Sequence, residues 1–448
     1  MNIEPNTYHI ISLGCAKNLV DSQGIWHLLT QKGLRAIENP RKAEFIIVNT
    51  CGFIHDARAE SVQALQEFAK NKPHGQKLIA TGCMSQRYQT RLLEEIPGID
   101  GLMGTRNLQD ILALTESLGN SPSYQSLAYF PDYSKIQRGQ NLPGYVIQGN
   151  SSYLKIADGC RRTCAFCAIP GIKGPLVSRS IADILQDARS LQASGVKEIN
   201  LIAQDVTDYG QDLGLKDGLT DLLGELLPAV PDVPWVRLLY TYPGYISDKL
   251  VALMAESRQL LPYLDIPLQH ADPEVLRAMQ RPSDVDWVRR IVAKMRGQIP
   301  GLVIRTTLIV GFPNETEERF ETLKSFLGEM NFDHVGVFTY SPEEGTPAEG
   351  MGDPIPQSVK EARREELMML QASISLRKNQ ELKGRIMDVL IEGADPEHHI
   401  LVGRTYRDAP EIDGLVIVEG VGEVGELLPV RITAAMQHDL YGKLEIQE

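Results

Sequence analysis

Cysteine is scarce in this chain: 448 residues contain six, and none is left over once two sets of three are drawn. Long apolar runs are missing too. None approaches the roughly 18 residues a membrane helix needs, so no membrane association is expected. Met1-Asn2-Ile3-Glu4-Pro5 has neither the basic start nor the apolar core of a signal peptide. The expected location is cytoplasmic, where thiols stay reduced and grouped cysteines serve metal binding or redox chemistry more than disulfides. Internal repeats and low-complexity segments are absent, which excludes a repeat architecture. Positive charge is short: 45 Lys/Arg face 58 Asp/Glu, a net charge of −13. From Glu381 onward six Lys/Arg face fourteen Asp/Glu, a net −8 in the last 68 residues. Neutralising phosphates takes Lys and Arg, so this tail disfavours direct nucleic-acid binding and suits a basic protein partner. The plainer reading is that the charge only aids solubility.

At about 100–200 residues per domain, the length predicts two to four domains. A hydrophobic fraction of 43% and a charged fraction of 23% are ordinary for globular protein. In the first hundred residues Tyr8–Leu13, Glu44–Asn49 and Lys77–Thr81 read as strands, short, apolar and partly β-branched. Asp21–Lys32 and Asp56–Lys70 read as helices with polar caps near their starts. This βαβαβ order implies a parallel sheet and sets Cys15, Cys51 and Cys83 after the carboxyl ends of successive strands, the edge where ligands gather. Periodicity fades between about Glu116 and Asn150, as in a linker with some local structure. A longer alternation follows. Tyr153–Ile156, Glu198–Ala203, Val236–Thr241, Tyr263–Pro267, Val303–Val310 and His334–Tyr340 are candidate strands. Ser180–Ser194, Asp248–Glu256, Val285–Arg296 and Thr316–Met330 are helices among them. Six β/α units predict an incomplete barrel with its chemistry at the carboxyl ends of the strands. Pro342–Pro356 is expected to wrap the barrel's edge. Gln357–Lys383 reads as one helix, and the tail as a small β-barrel. The predicted fold class is therefore α/β: an N-terminal parallel sheet domain (7–118), a linker (119–145), a partial (β/α)6 barrel core (146–376) and a terminal β-barrel (377–448).

Cys160, Cys164 and Cys167 form a CxxxCxxC run after the first barrel strand. Structural zinc wants four ligands, commonly as two CxxC-type pairs, and here no second pair and no nearby His completes a set. Spacing of this kind belongs to iron–sulfur ligation. Three thiolates hold three irons of a four-iron cluster and leave the fourth open to a substrate. Two such triads predict two open-iron 4Fe-4S clusters and redox or radical chemistry.

On a β/α barrel, Gly159-Cys160-Arg161-Arg162-Thr163-Cys164-Ala165-Phe166-Cys167 resembles the signature of the radical S-adenosylmethionine (SAM) enzymes. With Cys15, Cys51 and Cys83 and the terminal small barrel, the whole chain resembles the methylthiotransferases: methylthiotransferase domain, radical SAM core and TRAM domain. Leu13-Gly14-Cys15-Ala16-Lys17-Asn18-Leu19-Val20-Asp21-Ser22 and Leu268-Gln269-His270-Ala271 resemble the branch that modifies a ribosomal protein. The tRNA branch typically has a Gly-Cys-Gln-Met-Asn type run at the first of these points. The resemblance implies methylthiolation of the β-carbon of one aspartate in small-subunit ribosomal protein S-twelve, free or in the subunit. It implies SAM as both methyl donor and radical source, and a low-potential electron donor such as flavodoxin or ferredoxin. It also implies that the cluster on Cys160, Cys164 and Cys167 cleaves SAM while the auxiliary cluster on Cys15, Cys51 and Cys83 carries sulfur.

Related enzymes hold the SAM amino group with a polar or acidic residue at the end of the second barrel strand, here Gln204 and Asp205. A helix cap or turn is the rival reading of Asp205. Gly311 and Phe312 stand where related enzymes contact adenine, with a purely structural Gly-Phe-Pro turn as the rival. Arg305, Tyr240, Tyr242 and His270 lie near strand ends and are further lining candidates; His270, as a lone histidine, is assigned no role. Two alternatives accompany this reading. One is a tRNA adenosine methylthiotransferase with the same cofactors; the other is a non-catalytic iron–sulfur or RNA-binding adaptor.

Overall fold

A computed structural model describes residues 3–120, 126–130 and 142–445. It divides into two compact units. The first holds Met1–Val146, Tyr153–Asp187 and Glu343–Glu349; the second holds Ile147–Ser152, Ala188–Pro342 and Gly350–Glu448. Among the described residues no helix is long and apolar enough to cross a membrane.

In the first unit the chain order is β1 (Glu4–Ser12), α1 (Ala16–Gln31), β2 (Arg35–Ala36), β3 (Ala43–Thr50), α2 (His55–Asn71), β4 (Lys77–Gly82), α3 (Cys83–Tyr88), α4 (Arg91–Glu95), β5 (Gly101–Met103), α5 (Asp110–Asn120) and β6 (Leu127–Tyr129). The strands form one parallel sheet in the order β2-β1-β3-β4-β5-β6. Alternate residues of β3 serve opposite faces, as the period of two requires. Phe45 and Ile47 join Ile25, Leu29 and Leu114 in one core, while Ile46 and Val48 join Leu65, Leu78 and Leu92 in another. A sheet covered on both faces has apolar strands throughout, which is why β3 and β4 read so clearly in the sequence. The segment 119–145, expected as linker, contributes β6 to the sheet; 121–125 and 131–141 lie outside the described residues. Helix α1 begins five residues before the expected Asp21. Cys15 itself takes the N-cap position in extended conformation, and the Asp21 carboxylate turns to lysines rather than to backbone.

The chain crosses between the units within β7 (Tyr145–Gln148) and β8 (Ser151–Lys155). The first unit regains β9 (Ala157–Asp158), α6 (Ile169–Lys173) and β10 (Val177–Ser178), and so all six cysteines. Glu343–Glu349 also belongs to this unit, where Arg87 pairs with Glu343 at 2.7 Å and Ala348 N–H donates to Ala165 O. Within the stretch expected to wrap the barrel's edge, Glu343 and Glu344 answer the arginines of α3 and α4.

After α7 (Ile181–Ala193), the second unit alternates β11 (Glu198–Ile202), α8 (Gly218–Ala229), β12 (Trp235–Leu238), α9 (Asp248–Glu256), β13 (Leu260–Asp265), α10 (Pro273–Ala278), α11 (Val285–Gln298), β14 (Val303–Val310), α12 (Glu317–Met330) and β15 (His334–Thr339). The strands pair in parallel in sequence order, and Asn150 and Ser152 line the outer edge of β11. This open β/α array is the partial barrel. Helix α13 (Gln357–Gln380) leads to β16 (Ile386–Asp395), β17 (Ile400–Thr405), β18 (Val416–Glu419), β19 (Leu427–Ala435) and β20 (Leu440–Leu444), which close into a barrel.

The terminal barrel belongs to the same compact unit as the sheet, and buried charges join the two. Glu198 on β11 accepts from Arg237 Nε at 2.8 Å, from Arg404 at 2.7 Å and from Ser151 Oγ at 2.8 Å. Tyr263 donates to Asp413 at 2.7 Å, Arg305 lies 3.4 Å from the same carboxylate, and Arg407 reaches Asp333 at 3.3 Å.

Candidate cluster and SAM site

Register brings the N-terminal cysteines together. Ser12 pairs with Asn49 and Asn49 with Thr81, so β1, β3 and β4 end level. Cys15, Cys51 and Cys83 follow within two or three residues of those positions. Their loops are tied by Asn18. Its amide donates to Leu13 O at 2.9 Å and Thr50 O at 3.1 Å, and its oxygen faces Cys83 Sγ at 3.7 Å. Asn49 donates back to Asn18 O at 2.8 Å. Gly14 and Gly82, beside two of the cysteines, sit at φ +91° and +95°. A Cβ on Gly14 would meet Cys51 Cβ at 2.7 Å, and one on Gly82 would meet Asn49 Oδ1 at 2.3 Å, so only glycine lets these loops converge.

Burial pushes the Cys83 thiol up to about 12, against the nearby ammonium of Lys173 and with help from Cys15 and Cys51. Burial also raises Cys51. Thiols so placed ionise when a cation binds them, the coupling expected of a metal site. All six cysteines carry thiols rather than disulfides. Among the described residues no three His, Cys, Asp or Glu converge as ligands of a single ion. Three cysteines on loops that share one rim are a candidate donor set.

The second set is held just as locally. Cys160 N–H donates to Gly174 O at 3.0 Å, Arg162 N–H points to Cys160 Sγ at 3.4 Å, and Cys167 N–H donates to Cys164 O at 3.1 Å. Cys160 and Cys167 are half-buried and Cys164 is buried. The helix that follows packs on the first set: Cys83, Ala168 and Ile172 form one buried cluster.

The SAM candidates lie in the second unit. Asp205 Oδ1 accepts from Thr207 N–H at 3.0 Å and Thr207 Oγ1 at 2.5 Å, capping the turn Val206–Asp208. The rival reading of Asp205 as a cap is thus realised in the structure. Gly311 has φ +78°, donates its N–H to Glu315 at 3.0 Å, and leaves no room for a Cβ, which would meet Lys360 Cγ at 2.3 Å. Arg305, third in β14, is held by ion pairs with Asp265 at 3.1 Å and Asp413 at 3.4 Å. Tyr242 lies under the Arg281 guanidinium. His270 is a satisfied core residue: Nδ1 accepts from Asp272 N–H at 2.9 Å, so Nε2 carries the proton toward Glu315 at 3.2 Å. Sequence reasoning missed Asn18 and Lys173. Asn18 had a signal, a polar residue inside the Gly-Cys-containing run; Lys173 had none, because its partners come from Asp21, Asp158 and Thr105 far along the chain.

Residues 7–104 match the model of the uncharacterized protein family UPF0004, 154–327 the radical SAM superfamily, and 384–444 the TRAM domain. Ribosomal protein uS12 methylthiotransferase RimO of Roseiflexus sp. (strain RS-1) is 43% identical, covering 98% of this chain and 97% of the relative. The protein of that name from Chloroflexus aurantiacus is 44% identical over 97% of this chain and 99% of the relative. Among solved structures, the radical S-adenosylmethionine methyltransferase TsrM of Kitasatospora setae, with tryptophan substrate and a SAM analogue bound, superposes with a TM-score of 0.58. It is 13% identical and the match covers 87% of this chain and 79% of TsrM, a likeness of fold. With three family models in order along it and relatives this close over nearly its full length, the chain belongs to the uS12 methylthiotransferase family of radical SAM transferases.

Proposed function

We propose that the protein methylthiolates the β-carbon of an aspartate in ribosomal protein uS12, with Cys160, Cys164 and Cys167 holding the cluster that cleaves SAM and Cys15, Cys51 and Cys83 holding the auxiliary cluster. The observation that carries this reading is the level ending of β1, β3 and β4, which sets three thiols on one rim in the unit that also contains the CxxxCxxC loop. When bound, the two 4Fe-4S clusters and SAM supply the electron, the hydrogen abstraction, the sulfur and the methyl group. The protein positions them. Asn18 and the glycine turns hold the auxiliary loops; the hydrogen bonds around Cys160 hold the other. The turn capped by Asp205 and the backbone at Gly311 are proposed to contact SAM.

A basic substrate fits the terminal barrel. Its Arg404 and Arg407 are consumed by buried ion pairs, while Asp388, Asp395, Glu397, Glu419, Glu423 and Glu426 are exposed. The Asp408 and Asp413 side chains are withdrawn as well, so the exposed surface keeps the acidic balance of the tail, which suits a basic ribosomal protein. We assign domain limits of 7–118, 119–145, 146–376 and 377–448, a cytoplasmic location, and a low-potential flavodoxin or ferredoxin as electron donor.

Anaerobic turnover of the cluster-reconstituted protein with SAM, sulfide and a strong reductant tests this, with uS12 and tRNA offered separately and read by mass spectrometry. A methylthio adduct on one aspartate of uS12 is expected. An adduct on tRNA alone would contradict the substrate assignment and the significance given to the acidic barrel.

A further inference from the structure

Between the elements carrying the two cysteine sets, within the first unit, lies a closed ring of four charges. Lys173, the last residue of α6, places Nζ 2.8 Å from Asp21 Oδ2 and 3.3 Å from Asp158 Oδ2. Lys155 completes the ring, 2.5 Å from Asp21 Oδ1 and 3.4 Å from Asp158 Oδ2. Lys173 also donates to Thr105 Oγ1. Asp21 belongs to α1, whose N-cap is Cys15; Asp158 is two residues before Cys160; and Lys173 adjoins Ile172, which packs on Cys83. The ring therefore links the loop of one set to the helix of the other. Lys173 and Asp21 are almost wholly buried, with side chains 2% and 3% exposed. Stability alone does not call for this, because apolar residues of similar volume commonly serve as well as a buried ion pair. What an apolar residue cannot supply is a fixed positive charge on the helix whose Ile172 packs against Cys83.

We propose that Lys173 is a positioning residue for the auxiliary cluster: held by Asp21 and Asp158, it anchors α6 beside Cys83 and sets a positive potential there that favours the reduced cluster. This rests on the reading that Cys15, Cys51 and Cys83 are cluster ligands. Neutralising Lys173 leaves two carboxylates against one lysine and makes the potential at Cys83 more negative. Neutralising Asp158 does the reverse. The two substitutions must therefore move the reduction midpoint in opposite directions, which loss of structural support alone does not do.

The test is a potentiometric titration, followed by electron paramagnetic resonance, of the full chain with Cys160, Cys164 and Cys167 replaced by Ala, so that only the auxiliary cluster contributes. Lys173→Met is expected to lower the midpoint, Asp158→Asn to raise it, and Lys173→Arg to keep the parental value. Should Lys173→Met fail to retain its cluster, Asp158→Asn decides alone. An intact cluster whose midpoint is unmoved, or falls, in Asp158→Asn overturns the role of Lys173 while leaving the ligands standing. A parent chain that assembles no cluster overturns the ligand reading itself, and this inference with it.

Discussion

At the scale of single residues, chemistry here depends on groups that are ordinary in type and unusual in placement. Asn18 spends its carboxamide on two carbonyls and a thiol from three loops. Asp205 gives one carboxylate oxygen to both the N–H and the hydroxyl of Thr207. Removing such a cap costs about 0.5–2 kcal/mol. For Asp205→Ala we therefore expect a small loss of thermal stability together with weaker SAM binding by equilibrium titration. Unchanged SAM affinity with lowered stability would reduce Asp205 to a cap. Gly311 and His270 show where sequence reasoning stops. A Gly-Phe-Pro turn reads the same whether its glycine serves a ligand or, as the backbone shows, admits Lys360; and nothing near His270 in sequence announces Glu315, 45 residues away.

At the scale of elements, β3 and β14 were legible almost to the residue, β3 because an apolar run covered on both faces leaves a continuous signal and β14 because β-branched residues fill most of it. Helix α1 was placed late because Asp21 looks like a cap, while its charge goes to Lys155 and Lys173, whose proximity only the fold creates. Helix α8 escaped notice, since Leu-rich sequence broken by Gly224 and Pro228 does not display a helical period. The buried Glu198 between β11 and the terminal barrel was equally invisible, being a strand-start glutamate whose arginines lie 39 and 206 residues away. Burial alone would raise its carboxyl, but Arg237 and Arg404 outweigh it and pull the value to about 2 from the ordinary 4.5. A depressed acid stabilises the fold above its unfolded value and loses that contribution as pH falls toward the folded one. Breaking such a buried pair costs about 3–5 kcal/mol, so Glu198→Gln should melt well below the parent at neutral pH. The gap should narrow as pH falls from about 5 toward 3; a gap independent of pH would show that Glu198 is not ionised in the native state.

At the scale of the whole molecule, three family segments become two compact units. Both cysteine sets belong to the first, and the terminal barrel belongs to the second, fastened to its sheet by charge. The two-cluster chemistry was legible because it needs six cysteines in two spacings and the chain has no others. The substrate came from family resemblance, with the acidic tail in support. Comparing SAM cleavage with sulfur insertion separates the roles of the two cysteine sets. SAM is supplied with reductant and uS12 to the reconstituted parent, to Cys160→Ala and to Cys83→Ala, and both 5′-deoxyadenosine and methylthiolated uS12 are quantified. Cys160→Ala should form neither product, whereas Cys83→Ala should still cleave SAM and leave uS12 without sulfur. Equal loss of 5′-deoxyadenosine in both variants would contradict the account.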